Sequence, residues 1–125
     1  MLAYTTVGTN DYAKAQKFYG ELFSVIGAKQ LLDTGRFTAF GTSMAAPMFG
    51  VVKPFNEEPA TAGNGQMITI GCKDEDQVQA LHAKALELGA ACDGEPGLRA
   101  NGAFYLCYFK DADGNKIAGF CPPSK

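Results

Sequence analysis

Val7-Gly8-Thr9-Asn10-Asp11 is answered 63 positions later by Ile70-Gly71-Cys72-Lys73-Asp74. Each pentapeptide closes an apolar run and opens an amphipathic one, and Gln16 and Gln79 keep the same offset. The first amphipathic stretch stops at Gly27 and the second at Gly89. A period of half the chain means two copies of one unit packed face to face. Sites in such folds lie where the copies meet.

Around the first copy, Leu2–Thr9 reads as a strand rich in β-branched and aromatic residues. Asn10 or Asp11 can cap a helix by accepting an unpaired first-turn N–H. Ala15, Phe18, Tyr19, Leu22, Phe23 and Ile26 recur at three- and four-residue steps, and Gly27 suits the left-handed position that ends a helix. Short strands follow at Lys29–Asp33, Arg36–Gly41 and Pro47–Lys53. In the second copy Gln66–Lys73 is a strand and Asp74 caps a helix with Val78, Leu81, Ala85 and Leu88 on one face. Strands are predicted at Ala90–Cys92, Phe104–Lys110 and Lys116–Cys121, with Asp111–Asn115 as the closing hairpin turn. Gly94–Gly102 reads as a glycine-bearing loop able to move as a lid, or as ordinary turns.

The fold class is therefore α+β: two paired β-α-β-β-β modules forming a cupped mixed sheet or open barrel, with helices outside. The expected organisation is one domain over residues 1–125, with module 1 at about 1–55, a linker at about 54–65 and module 2 at about 66–125. The linker carries Pro54, Pro59, Gly63 and Gly65 and no periodic apolar pattern. Net charge is −2 and the basic residues are scattered, which argues against nucleic acid and anionic membranes as partners. No apolar run approaches the roughly 20 residues that cross a bilayer. Met1-Leu2-Ala3-Tyr4 lacks a charged-then-apolar leader, so a cytoplasmic location is expected. Cys72, Cys92, Cys107 and Cys121 have no CxxC spacing; they read as small hydrophobes, and an intracellular chain disfavours disulfides.

Asn10-Asp11-Tyr12-Ala13-Lys14-Ala15-Gln16-Lys17-Phe18-Tyr19 resembles the first strand-to-helix signature of the vicinal oxygen chelate superfamily. That superfamily includes glyoxalase, extradiol dioxygenases and the bleomycin resistance proteins. Tyr108-Phe109-Lys110-Asp111-Ala112-Asp113-Gly114-Asn115-Lys116-Ile117 resembles its closing hairpin. Gly63-Asn64-Gly65 and Pro96-Gly97-Leu98-Arg99 are similar to a small glyoxalase-like subgroup. The resemblance implies a two-fold homodimer, which the free sheet edges of paired modules also favour.

The resemblance also implies a divalent metal in the cup. Its usual ligands are a His seven residues before each helix-capping Asp and a Glu on the strand after the closing hairpin. Here those positions hold Tyr4, Met67 and Ala118, and the first two differ by the same 63 residues as the repeat. A hard cation needs oxygen or imidazole donors. Ala118 has no donor, a thioether is a poor one, and neutral Tyr ligates weakly, so no metal and no cofactor are expected. His82, the one histidine, lies at the margin of the buried helix stripe. It reads as a partly buried helix histidine, or as a contact at a dimer interface or pocket edge.

The candidate ligand pocket comprises Tyr4, Met67, Tyr105, Tyr108, Arg99, Asn101 and Ala118. Alternation puts either Tyr105 or Tyr108 toward the cup, and each Tyr reads equally as core filling or ligand contact. Arg99 matches carboxylate or phosphate geometry, or is a solvated loop arginine. No catalytic constellation is visible, and whether the chain is an enzyme stays open. The favoured reading is a glyoxalase/bleomycin-resistance/dioxygenase-like protein that binds or sequesters a small molecule without metal. The alternative is a lactoylglutathione lyase-like or other glyoxalase-like enzyme acting on a small oxygenated metabolite.

Overall fold

The 63-residue repeat is written into the helix ends. In the computed structural model, which describes residues 1–124, α1 spans Tyr12–Ser24 and α2 spans Glu75–Glu87, the same offset at both ends. Asp11 accepts from the Lys14 N–H at 3.1 Å and Asp74 from the Gln77 N–H at 2.8 Å. Both helices close alike: Ala28 N donates to Phe23 O at 3.0 Å and Ala90 N to Ala85 O at 2.9 Å. Gly27 (φ 76°) and Gly89 (φ 102°) supply the left-handed residue that this closure requires.

Module 1 holds β1 (Tyr4–Gly8), β2 (Lys29–Asp33), β3 (Phe37–Gly41) and β4 (Met48–Val52). They form a mixed sheet in the order β1-β4-β3-β2, with β1 parallel to β4. Module 2 repeats this with β5 (Ile68–Gly71), β6 (Ala91–Arg99), β7 (Phe104–Lys110) and β8 (Lys116–Cys121), ordered β5-β8-β7-β6 with β5 parallel to β8. The expected α+β fold of two β-α-β-β-β modules is present, as two open four-stranded sheets.

One face of each sheet is covered by its helix. Tyr19 and Phe23 of α1 press on Phe49, with ring centroids 4.7 and 5.1 Å away. The same buried cluster takes in Leu81 and Ala85 of α2 with Phe109 and Ile117, so one core runs through both modules. Strand alternation sends the next residues to the helix-free face. There Tyr4 meets Phe37 with centroids 5.5 Å apart, and Phe104 meets Phe120 at the same distance.

Polar bonds join the modules at the repeat motif itself. Thr9 Oγ1 donates to Asp113 Oδ2 at 2.6 Å, Asn10 N to Asp113 Oδ1 at 2.9 Å, and Asn115 Nδ2 to Gly8 O at 2.9 Å. The expectation of a loop at Gly94–Gly102 is corrected. β6 runs on to Arg99 and pairs with β7 through Gly94, Gly97, Leu98 and Arg99. Its register shifts between Cys92 and Gly94 and again between Gly94 and Gly97, so bulges absorb the glycines that read as loop.

Candidate functional site

β1 and β5 each form one edge of their sheet, and residues of both line one groove of about 530 Å³. Tyr4 and Thr5 come from β1, and Ile68, Thr69 and Ile70 from β5. Met67 stands just before β5 and Met48 at the start of β4. The floor is aromatic, from Phe23, Phe40 and Phe49. This is the seam between the copies. Among the described residues, its polar side chains are Thr5, Thr42, Thr69 and the Tyr4 phenol, and no carboxylate, imidazole, thiol, amine or guanidinium lines it. In the single chain Tyr4 is 51% exposed and Met67 42%.

Of the seven expected pocket residues, the fold brings together Tyr4 and Met67. Ala118 is fully buried in β8, in register with Thr69 on one side and Tyr108 on the other, and does not line the groove. Tyr108 takes the helix-free face. Tyr105 is corrected: it faces α2, where its hydroxyl accepts from Gln79 Nε2 at 2.8 Å and its ring packs with Val78, Cys107 and Cys121. Asn101 sits with positive φ (57°) in the exposed β6–β7 turn, away from the groove.

Arg99 is spent on its own strand. Its guanidinium donates to Glu95 O at 2.6 Å and Leu98 O at 3.3 Å, and it lies 5.6 Å from the Tyr108 ring centre. Lys116 approaches the same ring at 4.9 Å and pairs with Asp93 at 3.1 Å. The positive charge of this face is therefore organised around one tyrosine.

The metal that the resemblance implies finds no fitting donors at positions 4, 67 and 118. They offer a phenol, a thioether and a methyl group, and the third does not open on the seam where the first two lie. Sequence reasoning also missed a grouping elsewhere. His82 is buried, 4% exposed, and its Nε2 lies 3.3 Å from Cys92 Sγ, which is 3.7 Å from Glu95 Oε1. Nothing in a ten-residue spacing across a helix, a turn and a bulged strand signals that contact.

The two-module architecture is shared with known proteins. Residues 1–118 match the family model of the glyoxalase/bleomycin resistance protein/dioxygenase superfamily. The chain belongs to this superfamily. A glyoxalase/bleomycin resistance protein from Albidiferax ferrireducens T118 is 33% identical with a TM-score of 0.87, over 96% of this chain and 98% of that one. TnmS3, an antibiotic binding protein from Streptomyces sp. CB03234, is 26% identical with a TM-score of 0.69, over 98% and 95%. A lactoylglutathione lyase from Agrobacterium tumefaciens shares the fold at 19% identity and TM-score 0.67, over 96% and 92%. No curated protein matches the chain. Among the described residues no helix of this superfamily member is long and apolar enough to cross a membrane.

Proposed function

We propose that this superfamily member binds a small, flat, largely apolar molecule in the groove between its modules and does not transform it. The observation that carries the reading is the lining: aromatic, aliphatic and methionine side chains with three threonine hydroxyls and the Tyr4 phenol, and among the described residues no carboxylate, imidazole, thiol or amine to serve as the usual acid or base. General acid–base catalysis needs such a group within about 2.6–3.2 Å of the reacting atom. Met48 and Met67 give the wall an adaptable, polarizable surface, and Tyr4 adds a ring with a hydroxyl to orient a ligand. The likeness to an antibiotic binding protein supports the same choice.

The test is a thermal-shift and fluorescence screen with anilinonaphthalene sulfonate as the planar probe and bleomycin among a panel of aromatic antibiotics. A binder should raise the melting temperature. Tyr4→Phe and Met67→Ala should each weaken it, by about 3- to 10-fold for a lost hydrogen bond or packing contact. Chelator-sensitive turnover of a hemithioacetal, restored by nickel or zinc, would replace this reading with a lyase.

The binding unit is a homodimer in this proposal. The helix-free faces carry the Tyr4–Phe37 and Phe104–Phe120 pairs, and Tyr4 and Phe104 stay about half exposed in the single chain. A second copy related by a two-fold axis would cover both pairs with the same surface.

A further inference from the structure

We propose that His82, Cys92 and Glu95 form a zinc-binding site on the helix-covered side of module 2, separate from the groove between the modules. The donors are an imidazole nitrogen, a thiol sulfur and a carboxylate oxygen, and all three atoms lie within 4.8 Å of one another. A tetrahedral zinc with bonds of about 2.0–2.3 Å holds neighbouring donors roughly 3.3–3.8 Å apart. Two of the three separations already have that size: His82 Nε2 to Cys92 Sγ is 3.3 Å and Cys92 Sγ to Glu95 Oε1 is 3.7 Å. The site needs only a small turn of the exposed Glu95 side chain to close.

Two features of the fold assemble it. His82 belongs to the face of α2 that packs on the sheet, so its ring is held with little freedom and its nitrogen is aimed at β6. In a regular strand Cys92 and Glu95, three residues apart, would point to opposite faces. The register shift between Cys92 and Gly94 inserts one extra residue opposite β7 and returns Glu95 to the side of Cys92. None of the three residues lines the groove between the modules.

The donor set selects the ion. A thiolate with an imidazole favours a borderline-soft cation, and the single carboxylate does not favour magnesium or calcium, which take oxygen shells. Three protein ligands leave a fourth position, and the exposure of Cys92 and Glu95 lets water fill it. Binding converts the Cys92 thiol to a zinc-bound thiolate, and its proton passes to the solvent. His82 binds through unprotonated Nε2 and keeps its proton on Nδ1.

The experiment uses the full chain after chelator treatment, with zinc affinity read by competition against a chromophoric chelator. Cobalt, as a spectroscopic substitute, reports sulfur ligation through a thiolate-to-cobalt charge-transfer band. The expected result is an equimolar zinc complex, with affinity falling at least about 10-fold in Cys92→Ser and likewise in Glu95→Gln. The cobalt band should be lost in Cys92→Ser. Both substituted residues are exposed, and circular dichroism verifies that each variant keeps the fold. The site is overturned by a wild-type chain that does not bind zinc, by a smaller loss in either variant, or by a charge-transfer band that survives in Cys92→Ser.

Discussion

Asp111 shows how much one side chain organises. It accepts from Tyr19 Oη at 2.5 Å, from the N–H groups of Asp113 and Asn115 at 3.0 and 2.8 Å, and from Asn115 Nδ2 at 2.9 Å. Asp111→Ala should cost about 3 kcal/mol, because buried donors lose a charged acceptor; Tyr19→Phe should cost only about 1 kcal/mol, and urea unfolding measures both. Burial, and then the Asp111 charge, push the Tyr19 phenol well above its ordinary value of 10.0. A raised phenol keeps its proton in the folded chain after the unfolded chain has lost its own. Its contribution is full below about pH 10 and is lost as pH rises from there toward the folded value. Wild type should therefore lose more stability than Tyr19→Phe between about pH 8 and about pH 11. Equal losses would show that Tyr19 is not the titrating group. Cys107, pushed up to about 11 chiefly by burial, should resist thiol reagents that label exposed Cys92 in the folded protein.

At the scale of elements, α2 lies on β8 at a glycine. A Cβ on Gly119 would stand 3.0 Å from Cys107 Sγ and 3.1 Å from Leu81 Cδ2, whereas one on Gly71 would meet nothing within 4 Å. Gly119→Ala should lower stability by about 1–3 kcal/mol, while Gly71→Ala on the neighbouring strand should be nearly neutral. Denaturant midpoints of the two variants check the contrast, and equal values would mean that α2 can slide without cost. The helices were legible in the sequence because capping Asp, apolar spacing and terminal Gly all agree at α1 and α2. Of β6 only the start at Ala91 and Cys92 was, because Gly94, Pro96 and Gly97 beyond it are local loop signals, and the ladder with β7 outweighs them. The seven-residue count that the resemblance implies led to Tyr4 and Met67, and the 63-residue repeat keeps the two in phase. The choice between Tyr105 and Tyr108 stayed open in the sequence because alternation gives the period of a strand and not which half faces the helix. His82, Cys92 and Glu95 come together only through the bulge of β6, which no local pattern announces.

At the scale of the molecule, the two sheets share one core but leave their helix-free faces bare. If a second copy covers them, light scattering at tens of micromolar, a concentration that weak dimers require, should give twice the chain mass. Tyr4→Lys, which puts a charge beside Phe37, should shift the chain toward monomer while the helix signal stays constant. A wild-type monomer at that concentration would end the dimer proposal. The bonds from Thr9, Asn10 and Gly8 to Asp113 and Asn115 span more than a hundred positions. Because synthesis runs from the N-terminus, the first module leaves the ribosome long before the residues that fasten it exist. Its Phe23, Phe40 and Phe49 must wait with one flank uncovered, so the nascent chain is most vulnerable to aggregation just before it is finished. A truncation that ends ahead of Asp111 should make that interval permanent and should depend on a chaperone to stay in solution.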